Sequence, residues 1–138
     1  MTLRLQSGGP AYEWPGPGIT ATTDSSGVFT VPVGSLAGGV YNWRVKGPKY
    51  LAAGGAVTLT GAPVTSLEVG QMFAGDCNND NLVTVLDFII LRNSFGKAAG
   101  EPGYDDRADL NGDQLITIQD YTLLRTNFGL GGAPPIGP

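Results

Sequence analysis

One pattern occurs twice in the C-terminal half of this chain, and few folds can accommodate it. The first copy runs Asp76-Cys77-Asn78-Asn79-Asp80-Asn81-Leu82-Val83-Thr84-Val85-Leu86-Asp87. The second, offset by 33 residues, runs Asp109-Leu110-Asn111-Gly112-Asp113-Gln114-Leu115-Ile116-Thr117-Ile118-Gln119-Asp120. Oxygen-bearing side chains recur at positions 1, 3, 5, 9 and 12 of each twelve-residue window. That is the spacing with which an EF-hand loop surrounds calcium, position 7 adding a main-chain carbonyl. An ion of that size takes about 6–8 oxygens at roughly 2.3–2.6 Å. The first loop offers Asp76, Asn78, Asp80, the Leu82 carbonyl, Thr84 (through a water) and Asp87. The second offers Asp109, Asn111, Asp113, the Leu115 carbonyl, Thr117 and Asp120. Two calcium ions are expected. Both loops end in Asp rather than the longer Glu, so the following helix has to approach the ion more closely.

The same residues predict where helices start. Thr84 and Thr117 are N-cap residues followed three places later by an acid. Phe88, Leu91 and Phe95 fall on one helical face, and Tyr121, Leu124 and Phe128 repeat it. Gly96 and Gly129 stand where a helix end needs positive φ. The unit is therefore loop then helix, half of an EF-hand. Position 6 lacks the usual glycine and carries Asn81 and Gln114. Asn tolerates left-handed backbone better than Gln, so the second loop is expected to be strained and to bind more weakly.

Two such units in register resemble a type I dockerin, over about residues 74–130. The resemblance implies a small, extracellular, calcium-dependent module that docks onto a partner module called cohesin. It carries the calcium ligands onto the residues named above. Partner recognition in that family involves loop positions 10 and 11, usually polar and small. Here they are Val85-Leu86 and Ile118-Gln119, a departure toward apolar side chains.

Charge separates the two halves. Residues 1–73 hold four basic and three acidic side chains; residues 74–138 hold four basic and nine acidic. Two calcium ions would bring the C-terminal half from −5 to about −1, which predicts a module that folds with its metal and opens without it. No basic patch suggests nucleic acid, and no apolar run is long enough to span a membrane. Cys77 is the single cysteine, so no internal disulfide forms. Residues 1–5 do not read as a signal peptide, having too short an apolar core.

The N-terminal half alternates apolar and polar residues in short runs between turns. Strands are expected at Thr2–Gln6, Ile19–Thr23, Val28–Val33, Val40–Lys46, around Val57–Leu59 and around Leu67–Val69, with Ser7–Gly18 as a loop. Six strands suggest a small β-sandwich. The run 22–31, with Gly39-Val40-Tyr41 and Lys49-Tyr50-Leu51, resembles the carboxypeptidase regulatory-like sandwich family over about residues 2–70. That resemblance implies a noncatalytic spacer, adhesion or fibre domain. Trp43 alternates with Tyr41 and Val45 and reads as core; Trp14 in its loop reads as an exposed aromatic.

The fold class is thus mainly β with a small α module: a β-sandwich (1–72), a dockerin-like pair of calcium units (73–130) and a Gly/Pro tail (131–138) that composition alone reads as disordered. With almost no linker at Met72–Gly75, the two parts are expected to move as one body. No catalytic site is expected: there is no His, and no Ser or Cys with a plausible base. The leading reading is an extracellular or cell-surface assembly module that binds other copies of itself into a fibre, donating strand Thr2–Gln6 or the tail. The alternatives are docking onto a cohesin-like partner, and a carbohydrate-binding module using Trp14.

Overall fold

The computed structural model describes residues 1–16 and 21–137. The chain divides into two compact units. The first comprises Met1–Lys46, Ala53–Gly70 and Pro134–Pro138; the second comprises Gly47–Ala52 and Gln71–Ala133.

The first unit is built on an antiparallel sheet of β1 (Thr2–Gln6), β2 (Tyr12–Trp14), β3 (Gly39–Lys46) and β5 (Ala53–Leu59), in the order β2-β1-β3-β5. Register sets Leu3 opposite Val45 and Leu5 opposite Trp43. Alternation then places all four on one face, and all four are buried. Trp43 is therefore a core residue, as its alternation suggested. It sits across from Gly55, where an added Cβ would come within 3.0 Å of the indole nitrogen. The glycine is what lets the ring lie over β5.

Three expected strands form, at 2–6, 40–46 and 57–59. The expected strand Ile19–Thr23 begins outside the described residues, and 21–23 carry no regular structure. Val28–Val33 and Leu67–Val69 are not strands. Pro32 has no N–H to give a ladder, so the first of these is tied by side chains instead. Phe29 stacks on Trp14 at 5.7 Å, and the Tyr12 hydroxyl donates to the Pro32 carbonyl at 2.7 Å. Trp14 is accordingly covered on one face by Phe29. Its neighbours 12–14, expected as loop, form β2.

The second unit contains β4 (Lys49–Tyr50), β6 (Ala74–Asp76), α1 (Val85–Ser94) and α2 (Ile118–Thr126). Thr84 and Thr117 cap the helices, each with a reciprocal bond from its own N–H to the acid three residues on. Leu91 and Leu124, each 1% exposed, lock the helices into a core with Leu51, Cys77, Val83, Leu110 and Ile116. Phe88 and Tyr121 meet edge to face at 6.1 Å. Phe95 and Phe128 correct the expected helical face: both are about half exposed. Each lies beyond its helix, Phe95 with extended backbone (ψ 135°), so the 3.6-residue period stops before reaching it. Gly96 and Gly129 do take positive φ, 78° and 85°.

Each loop pairs with the segment after the other unit's helix. Gly129 N–H donates to Val83 and Val83 N–H to Leu130, at 2.8 and 2.9 Å. Thirty-three residues away, Gly96 N–H donates to Ile116 and Ile116 N–H to Lys97, at 2.8 and 2.9 Å. The start of the Gly/Pro tail is held by the same exchange. Gly132 N–H donates to the Asn81 carbonyl at 3.0 Å, and Asn81 Nδ2 donates to the Ala133 carbonyl at 3.0 Å.

Because Leu91 is enclosed on all sides, Leu91→Ala should lower the stability of the second unit by about 2–5 kcal/mol. Denaturant unfolding with calcium present, followed by helical circular dichroism, checks it.

Candidate metal centre

Both loops are held open and in shape by their own carboxylates. In the first, the Asp87 carboxylate accepts from Asn78 N–H at 3.1 Å and Thr84 N–H at 2.7 Å. It therefore joins the beginning of the loop to its end while also capping α1. Asp76 accepts from Asn81 N–H at 2.9 Å across the loop. Asn78 and Asp80 make the short turns between them: Asn78 Oδ1 accepts from Asp80 N–H at 3.0 Å, and Asp80 Oδ1 from Leu82 N–H at 2.9 Å.

The second loop repeats this arrangement, with Asn111 N–H donating to Asp120 at 3.3 Å as Asn78 N–H does to Asp87, and with Leu110 N–H donating in addition. Asp120 accepts from Leu110 N–H at 2.8 Å and Thr117 N–H at 2.8 Å. Asp109 accepts from Gln114 N–H at 3.0 Å, Asn111 from Asp113 N–H at 3.0 Å, and Asp113 from Leu115 N–H at 2.9 Å. The residues at positions 1 and 12 (Asp76, Asp87, Asp109, Asp120) are all buried, three of them at 0% exposure. Asn78 and the two threonines are part-buried, while Asp80, Leu82, Asn111, Asp113 and Leu115 are exposed.

The donor set fits a hard cation. It is all oxygen, from carboxylate, amide, hydroxyl and main chain, with no imidazole or thiolate. Among the described residues no three His, Cys, Asp or Glu side chains converge into a cluster of their own. A loop of this kind does not need one, because amide and carbonyl oxygens complete the shell. The threonine hydroxyls are engaged as caps, accepting from Leu86 and Gln119 N–H at 3.2 Å, consistent with reaching an ion only through water. Cys77 turns into the core. Burial first, and then the Asp87 and Asp76 carboxylates, push its thiol up to about 12, so it remains a protonated, inert packing residue at neutral pH.

The loops differ in two respects. Asn81 and Gln114 both take left-handed backbone, φ 70° and 68°. The Asn81 side chain is anchored in that geometry, its Oδ1 accepting from Ala52 N–H at 2.8 Å. Gln114 is exposed. Conversely, Tyr104 donates its hydroxyl to Asp109 at 3.0 Å, a contact that the ligand spacing does not reveal. Desolvation and this bond push the Tyr104 phenol up to about 12.

A long side chain at positive φ is penalised by roughly 1–2 kcal/mol. Gln114→Gly should therefore stabilise the calcium-loaded protein by about 1 kcal/mol, whereas Asn81→Gly, which also deletes an anchored side chain, should not. Thermal unfolding of the two variants against the parent tests this.

Comparison with known proteins follows the same boundaries. The family profile described as "Dockerin type I domain" matches residues 74–128. Among curated proteins none matches the chain. A C-terminal interface mutant of the type II cohesin–X-dockerin complex from Acetivibrio cellulolyticus contains a chain of similar fold, with TM-score 0.66, 21% identity, and 94% of this chain and 82% of that chain covered. An N-terminal interface mutant of that complex gives TM-score 0.62 at 21% identity, with the same coverage. The type II cohesin–dockerin domain from Bacteroides cellolosolvens is 37% identical over 44% of this chain and 90% of its own, with a TM-score, 0.37, too low to bear on the fold. The C-terminal part of this chain is a dockerin-like module.

Proposed function

We propose that this chain is a noncatalytic, extracellular docking module. Its two loops hold two calcium ions through the twelve residues named above, and its helices then bind a cohesin-like partner. The observation that carries this reading is the duplicated loop. Position-1 and position-12 carboxylates are buried with main-chain amides for company, an arrangement that calls for a cation to balance the charge. The fold shared with chains from cohesin–X-dockerin complexes supports a partner of that kind.

The docking face follows from exposure. Val85 and Leu86 at the start of α1 and Ile118 at the start of α2 are each more than half exposed, and Ile89 on α1 is also exposed. Apolar side chains there require a partner with an apolar complementary surface, unlike the polar and small positions 10 and 11 usual in type I dockerins.

Docking ranks above self-assembly by strand donation. β1, the proposed donor, is not a terminal edge but lies between β2 and β3, paired on both sides. Residues 131–133 of the tail are engaged within their own chain. Releasing either segment breaks bonds already made. Sugar binding by Trp14 has its ring face against Phe29 to overcome.

A panel of type I and type II cohesins, titrated with the full chain in millimolar calcium, tests the reading. At least one should bind, and chelator should abolish the complex. Leu86→Asp or Ile118→Asp should weaken it about 30-fold or more, since each places a charge in a desolvated contact. Failure of every cohesin to bind, together with light scattering that shows calcium-dependent oligomers, would favour self-assembly.

A further inference from the structure

A six-residue segment outside the dockerin match touches both loops. Gly47–Ala52 connects β3 to β5 in the chain, yet it belongs to the second unit. As β4, Lys49 pairs with Asp76, position 1 of the first loop. The Lys49 ammonium donates to the Asp109 carbonyl at 3.0 Å, position 1 of the second loop, and pairs with the Asp106 carboxylate at 2.9 Å. Ala52 N–H donates to Asn81 Oδ1, position 6 of the first loop, at 2.8 Å. Between them Leu51 is 3% exposed in the core. Lys49 holds φ 68°, a conformation that a lysine keeps only when its surroundings fix it.

We propose that Gly47–Ala52 is a positioning element shared by the two calcium loops, so that metal affinity depends on it and metal binding fastens it in return. The proposal rests on the calcium reading above. The physical route is short. β6 ends at Asp76, the residue that opens the first loop, so a disordered loop removes the partner strand of β4. Lys49 holds the entry of the second loop by its main chain and by Asp106, and so acts on the ligands without being one. Linkage makes the two effects reciprocal: whatever the segment adds to calcium affinity, calcium adds to the attachment of the segment. The fastened segment lies in the chain between two strands of the first unit's sheet.

The test uses the full chain with a protease site placed in the exposed stretch 61–66 and cut after folding. The two fragments should elute together in calcium and part in chelator. A nicked Leu51→Asp variant should part even in calcium. Fragments of the parent that part in calcium, that stay joined in chelator, or that stay joined with Leu51→Asp overturn the proposal. In the uncut chain, Lys49→Met should weaken calcium at the second loop about tenfold, a typical loss for a residue that orients metal ligands. The amide signals of Asn81 and Gln114, which donate to Asp76 and Asp109, report the loops separately. Lys49→Arg should restore the affinity; unchanged affinity in Lys49→Met overturns the proposal. Calorimetry of the uncut parent separates the two ideas. Absence of bound calcium contradicts the metal reading and this proposal with it, whereas two bound ions with fragments that part contradict this proposal alone.

Discussion

Everything in the second unit depends on how Asp87 and Asp120 are used. Each carboxylate is fully buried, gathers main-chain N–H groups from both ends of its loop, and caps the helix that follows. One side chain therefore fixes loop closure, helix start and ligand position together. Burying an anion is unfavourable unless its charge is matched. Amides supply part of the match, and nine acidic against four basic residues in this half leave no surplus of lysine or arginine to supply the rest. A divalent cation in each loop would resolve the imbalance, and metal binding and folding would then be one event.

Duplication then builds a domain from two parts too small to stand alone. A loop and a helix of nine or ten residues cannot enclose a core. Two copies do so by packing Leu91 and Leu124 into one cluster and by exchanging main-chain bonds, each loop with the segment after the other helix. The exchange explains why Gly131–Ala133 is ordered despite its composition. It stands for the second copy where Ala98–Gly100 stands for the first, at the same offset of 33.

The loops and helix starts were legible because the chemistry is local: ligand spacing, capping threonine and positive-φ positions all sit within one twelve-residue window. The face of each helix was legible as far as the helix lasts, and Phe95 and Phe128 fall just past it. The N-terminal strands were harder to read. Val28–Val33 alternates like a strand, but Pro32 and the Trp14–Phe29 stack hold it by side chains, while Tyr12–Trp14 joins the sheet from a stretch dense in Gly and Pro. Lys49, Ala52 and Tyr104 could not be found by spacing. Lys49 meets Asp109 across 60 residues, a contact set by the path of the chain between β3 and β5 rather than by any motif. The dockerin-like character was visible in sequence; the dependence of its loops on a segment from the other half was not.

Hydrogen exchange at the amides that donate to Asp87 and Asp120 tests the central claim most directly. In calcium, the N–H groups of Asn78, Thr84, Leu110 and Thr117 should be protected to the level of the helix core. In chelator they should exchange at close to the rate of an unfolded chain, while amides of β1 and β3 remain protected. Protection of the loop amides that is the same with and without calcium would contradict the account, because the carboxylates would then be satisfied without a metal.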